Sequence, residues 1–403
     1  MELQLFTDHF VHLWGACPDT FSVLGCSYSH PEQQLREQRF REFQDSLKMI
    51  QKKLKAGIRN FDSASFFTNF GIFLKQVYGF SDESLAMILS PEFKEVSRSF
   101  FTRARKFDPE LKPEEIYQAL RNMWIMNGLQ LICSRPVALT PSLFAYSLLY
   151  PYSDNLLDDP SVSVAEKQLF SQRFEKRLRG VESLSESYRE RKISELVGMI
   201  EEEYPRADFP GVYESLLAIH GAQTRSLQLA HPAETLTDDD ILRISFEKGG
   251  ASVLADGFLV AGELTPAQQQ FFFGFGVWLQ LADDIQDAPK DRADGVQTLF
   301  SSEKNRQETV DKTNRTFHFG QQVLEGMTAF SDESARRFRS LISQSIELML
   351  IQSVGLNPSA YPDEYRMQME SFSPVSFPFL RKAKASGRPQ RMNLVRQLID
   401  LPV

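Results

Sequence analysis

"FFFGFGVWLQLADDIQDAPKD", residues 271–291, decides how this chain is read. Its first half is apolar throughout, with Phe271, Phe272, Phe273 and Phe275 broken only by Gly274 and Gly276. Thr265 and Pro266 stand just before it and are ordinary helix starters. The second half turns acidic in helical register: Asp283 and Asp287 are i, i+4 neighbours, and Asp284 lies i, i+3 from Asp287. Carboxylates crowded on one side of a helix repel one another. Pro289 disfavours further helix, which puts the cluster at the negative end of the helix dipole and Asp291 in a loop. The arrangement is unfavourable unless a cation sits there.

A second stretch repeats the pattern. "TPSLFAYSLLYPYSDNLLDD", residues 140–159, predicts a buried helix started near Pro141 and kinked at Pro151. It ends in Asp154, Asp158 and Asp159, spaced i, i+4, i+5, before Pro160. One such cluster could be a turn signal; two at the ends of apolar helices are harder to dismiss.

Elsewhere helical spacing prevails and period-2 alternation is nearly absent, so the fold class is all-α. Residues 61–370 show no break and read as one large helical bundle with a cavity between helices. Residues 1–60 read as a helical extension and 371–403 as a basic tail. The tail carries Arg381, Lys382, Lys384, Arg388, Arg391 and Arg396 with no acid between Arg381 and Arg396. Such a patch can touch an anionic membrane surface, although a solvated tail is the simpler reading.

The chain has 403 residues and a formal net charge of −8, which argues against nucleic acid as a partner. Cys17, Cys26 and Cys133 are too few for a disulfide framework and fit a reducing, cytoplasmic setting. The start lacks a signal-peptide pattern, and no apolar run reaches the roughly 18 residues of a membrane span. His9, His12, Cys17 and Cys26 follow one another in a loosely zinc-like order, but their spacing fits no finger pattern.

Oxygen ligands without nearby His or Cys suit a hard cation, and Mg²⁺ commonly joins one or two carboxylates to substrate phosphates. Two facing clusters therefore suggest a diphosphate bridged by several Mg²⁺ ions. Basic groups that could complete the site are Lys248 in "FEKGGASVLADG", Arg225 in "HGAQTRSLQ", Lys290 and Arg292, with Gln223 beside Arg225. For each alone, a surface ion pair is the default. Gly249 and Gly250 after Lys248 would let a ligand approach the helix. Tyr146 and Tyr150 precede Asp154, and Phe275 and Leu279 precede Asp283, by one and two turns; they could wall an apolar cavity or be plain core. Arg173 and Arg177 in "QRFEKRLRG" read as a solvated face that could reach the diphosphate.

"DNLLDD" with "DDIQDAPKD" in an all-helical chain resembles the class I isoprenoid synthases. The first motif, D-x-x-x-D-D, looks most like the squalene/phytoene synthase branch and the bacterial large-terpene synthases (class IB). The resemblance implies three Mg²⁺ held with substrate diphosphate by Asp154, Asp158 and Asp159 on one side and Asp283, Asp284, Asp287 and Asp291 on the other. Read as D-D-x-x-D, the second motif is similar to chain-elongating synthases; read as D-x-x-x-D over Asp287 and Asp291, to squalene/phytoene synthases. The implied activity is terpene synthesis from an allylic prenyl diphosphate, with head-to-head coupling or chain elongation as alternatives, in a monomer or homodimer. Two rivals stand outside that family: metal-dependent hydrolysis of phosphate esters, and a non-catalytic helical scaffold.

Overall fold

A computed structural model describes residues 3–22, 24–55, 63–157, 159, 161–181, 187–230, 236–302, 305–330 and 333–385. Every regular element among them is helical. In chain order they are α1 (Leu3–Ala16), α2 (His30–Lys55), α3 (Ser63–Phe73), α4 (Asp82–Ile88), α5 (Pro91–Phe107), α6 (Pro113–Ile132), α7 (Pro141–Leu157) and α8 (Val164–Leu178). There follow α9 (Tyr188–Glu203), α10 (Pro210–Ser226), α11 (Asp238–Ala261), α12 (Pro266–Asp294), α13 (Arg306–Glu325), α14 (Glu333–Leu356) and α15 (Asp363–Glu370). Residues 377–385 form a further helical stretch. No helix among the described residues is long and apolar enough to cross a membrane.

The helix starts follow from local chemistry. Thr265 accepts a hydrogen bond from the Gln268 N–H while the Gln268 side chain caps the Thr265 N–H, and Pro266 fills the first helical position. Thr237 and Asp240 do the same for α11, and Ser163 with Glu166 for α8. Gly262 and Gly295, with φ of 79° and 74°, end α11 and α12 in a backbone region that other residues rarely adopt.

The centre of the molecule is the antiparallel pair α11 and α12. Its closest approach is at Gly249 and Gly276, where a Cβ on Gly249 would lie 2.6 Å from the Gly276 carbonyl oxygen. A Cβ on Gly250 would meet the Phe273 ring at 2.5 Å. The sequence reading of these glycines is thereby corrected: Gly249 and Gly250 make room for α12, not for a ligand. From the N-terminal side, α1 inserts Phe6 and Phe10 against Phe273, with ring centroids 5.3 and 5.7 Å apart. At the C-terminal side, the Arg381 guanidinium donates to the Gly355 carbonyl at 2.8 Å. Arg388, Arg391 and Arg396 lie outside the described residues.

Pro289 does not end its helix. α12 runs through it to Asp294, so Asp291 sits on the helix and the Asp283–Asp287 cluster lies well inside it. A proline leaves the carbonyl four residues back without its N–H donor. That carbonyl belongs to Ile285, and the Asn357 side-chain amide, from the turn after α14, donates to it at 3.1 Å. The dipole penalty expected at Asp283, Asp284 and Asp287 is therefore absent. Mutual repulsion and burial remain.

Candidate functional site

The acid face of α12 is assembled at the end of the α11–α12 pair that carries Lys248. Asp284 is buried at 4% exposure, and its Oδ1 accepts a hydrogen bond from the Gln280 amide at 2.8 Å. Its Oδ2 is buried and has no partner. Burial, reinforced by Asp283 and Asp291, pushes the Asp284 carboxyl up to about 7. Asp291 is pushed up to about 6, chiefly by burial and then by Asp287. The Asp283 side chain is open to solvent. Its pKa is raised by desolvation first and by Asp287 second.

Three cations face this acid. Arg121 on α6, Lys248 on α11 and Lys290 on α12 all pull the Asp283 carboxyl back towards its charged form. Lys248 also acts on Asp284 and Asp291, and no hydrogen bond or ion pair to another described residue ties it down. Lys290 is committed to Asp294 at 2.9 Å on the exposed side of the helix. Arg225 is taken by Glu247, to which its Nε donates at 2.7 Å. Arg292 ties α12 to the following loop through the Ser301 and Phe300 carbonyls, at 3.0 and 3.1 Å. Arg173 and Arg177 pair with Glu190 and Glu201, each at 2.6 Å.

The other acidic cluster is only partly described. Asp154 lies in the last turn of α7, but its side chain, all of Asp158 and the Tyr150 side chain fall outside the described residues. Asp159 serves the turn after the helix: its Oδ1 accepts from the Ser161 N–H at 2.8 Å and from the Ser161 hydroxyl at 2.6 Å, which lowers its pKa. Among the described residues no three His, Cys, Asp or Glu side chains converge as a metal-binding group. His9 pairs with Gln270 at 2.9 Å and the Cys17 thiol donates to the Leu13 carbonyl at 3.2 Å.

Of the expected apolar wall, Tyr146 is half-buried and packs against Ile219, Ala222, Ala251 and Ala255, between α7, α10 and α11. Leu279 and Gln223 are half-buried. Phe275 is core, stacked on Phe271 at 5.9 Å. A groove of about 610 Å³ lies towards the opposite end of α11, lined by Phe6, His9, Phe209, Glu214 and Phe258 among others, away from Asp283.

Arg121 and the buried acid Asp256 escaped the sequence reading. Asp256 on α11 is 1% exposed, and burial pushes it up to about 8 against the opposing effect of a hydrogen bond with Asn122. The available signal was a lone acid in "SVLADGFLV" and the adjacent polar residues Arg121 and Asn122 in the middle of "EEIYQALRNMWIMNG". Neither cue names the partner helix.

No known family model matches this chain. No curated protein matches it either.

Proposed function

We propose that the chain is a Mg²⁺-dependent class I terpene synthase that ionises an allylic prenyl diphosphate in a reducing, cytoplasmic setting. One observation carries the reading. Asp283 and Asp291 both act to raise the pKa of the buried Asp284, and Asp287 acts the same way on Asp283 and Asp291, with Lys248 and Arg121 facing Asp283 from two other helices.

The donor set fits the metal: all its atoms are carboxylate oxygens, and the buried Asp284 Oδ2 lacks the partner that a buried oxygen needs. Asp283, Asp284, Asp287 and Asp291 would hold the ions on this side, with Asp154 and Asp158 as the proposed opposite half. Bound there, Mg²⁺ would supply Lewis-acid neutralisation of a departing diphosphate. Lys248 and Arg121 would add positive charge for the same oxygens, which favours charge separation. Leu279 and Tyr146 contribute apolar surface that keeps water from an allylic cation, and the tyrosine ring face can stabilise it.

The test is incubation of purified protein with allylic diphosphates of increasing chain length, with Mg²⁺ or with EDTA, following diphosphate release and organic products by mass spectrometry. Hydrocarbon formed only with Mg²⁺ is the expected result, and its mass separates a cyclised single chain from a coupled pair. Released alcohol without hydrocarbon would instead identify a hydrolase. A protein that turns over no substrate, and whose metal binding and thermal stability are unchanged by Asp284→Asn, would be a scaffold.

A further inference from the structure

Both acid-bearing helices contain a proline close to their carboxylates. In α12, Pro289 leaves the Ile285 carbonyl to Asn357. In α7, Pro151 stands three residues before Asp154 and leaves the Ser147 carbonyl without its helical N–H donor. One rung is therefore missing from the ladder that ties the last turns of α7 to the rest of the helix.

A polar anchor stands beside that gap. Tyr152, next to Pro151 and buried, donates its hydroxyl to Asp108 Oδ2. Asp108 follows directly after α5 and is itself only 2% exposed. Its Oδ1 accepts from the hydroxyl of Tyr188, the first residue of α9, at 3.0 Å and from the Glu110 N–H at 2.9 Å. One carboxylate thus joins the end of α5, the last turns of α7 and the start of α9. Among the described residues no Lys, Arg or His forms an ion pair with it, so hydrogen bonds alone hold its charge.

Such an anchor is a poor source of stability. Taking a carboxylate out of water is costly, and apolar side chains of similar volume would hold the same helices together as well or better. What the hydrogen-bonded acid adds is direction, because a hydroxyl donating to a charged oxygen fixes both partners in one geometry. The side chain so fixed lies in the part of α7 that carries Asp154, two residues on.

We propose that Asp108 is a positioning residue for the metal site: through the Tyr152 hydroxyl it fixes the last turns of α7, and with them the placement of Asp154. The inference rests on the metal-site reading above and assigns the α7 half of that site its support.

Calorimetric titration of inorganic diphosphate into the full chain, with saturating Mg²⁺ or with EDTA, tests it without any turnover. Wild type should bind diphosphate only with Mg²⁺. Tyr152→Phe removes the hydroxyl, keeps the ring and should weaken that binding about tenfold. Tyr188→Phe removes a bond from the other oxygen of the same carboxylate but does not touch α7, so it should leave the affinity unchanged. On an Asp154→Asn background Tyr152→Phe should add little, because both changes act through one group. Asp108→Asn, a weaker and uncharged acceptor, should shift the affinity in the same direction as Tyr152→Phe, and it decides the matter if thermal unfolding shows that Tyr152→Phe has lost its fold. A wild type that binds no diphosphate with Mg²⁺ sinks the metal-site reading and this proposal with it. Wild-type binding that is undiminished in Tyr152→Phe and Asp108→Asn overturns the positioning role alone. Equal weakening in Tyr152→Phe and Tyr188→Phe overturns it too, since the cluster would then act on the fold as a whole.

Discussion

Two stretches of this chain are close to interchangeable in composition. "FFFGFGVWL" begins at Phe271 and "FFTNFGIFL" at Phe66, and both form helix. In the first, Phe271, Phe272, Phe273 and Phe275 are all at most 4% exposed. In the second, no phenylalanine is buried. Hydrophobicity is therefore not what separates core from surface here. The difference lies in the neighbours: Gly274 receives the Phe10 ring and Gly276 receives the Gly249 backbone, so two helices close on α12 at once. The glycine of α3, Gly71, meets only the Leu89 side chain at 3.1 Å. An apolar helix becomes core when its partners can approach it, and interdigitated packing then holds it there.

Four changes would break or sharpen that contrast. The largest effect is expected for Gly276→Val, whose side chain would run into the Gly249 backbone and force α11 and α12 apart. A loss of about 4 kcal/mol or more should appear in denaturant unfolding, because backbone cannot move aside as a flexible side chain can. Next comes Phe272→Ala at a site with 0% exposure, expected to cost about 3–5 kcal/mol.

A third probe uses charge in place of volume. Asp256 carries a raised pKa of about 8 in the folded protein against an ordinary 3.8, so the native state binds a proton that the unfolded chain gives up. Its contribution to stability is complete below pH 4 and is lost as pH rises towards 8. The slope should be on the order of 1 kcal/mol per pH unit, and Asp256→Asn should remove that part of the slope in unfolding curves taken from pH 5 to 8. The smallest effect belongs to Phe70→Ala on α3, at under about 1 kcal/mol, since the ring gives up little buried area. A Phe70→Ala loss as large as that of Phe272→Ala would show that α3 is as deeply packed as α12 and would undo the comparison.

Much of the architecture was legible in advance because it rests on local rules. Thr-Pro and Thr-Asp starts, glycine stops and a period near 3.6 are properties of neighbouring residues, and they mark both ends of α11 and the start of α12 almost to the residue. The i, i+3 and i+4 spacing that sets Asp283, Asp284 and Asp287 on one side is likewise a matter of helix geometry alone. Lys248 was legible as a candidate because it is a cation followed directly by a glycine pair.

What only the tertiary structure decided depends on residues far apart in the chain. Pro289 is a helix breaker by every local rule, and it stays inside α12 because Asn357, 72 residues beyond Ile285, satisfies the carbonyl left without a donor. Gly249 and Gly250 invite a ligand by local reasoning, but the backbone of α12 fills the space. Arg225 and Lys290 are strong candidates by type, yet Glu247 and Asp294 take them, while Arg121 reaches Asp283 from a helix more than 150 residues earlier. Sequence determines which segments coil and which faces carry charge, because those are short-range steric and electrostatic preferences. Tertiary packing decides which of those charges meet, because burial and partnering depend on which helix arrives alongside.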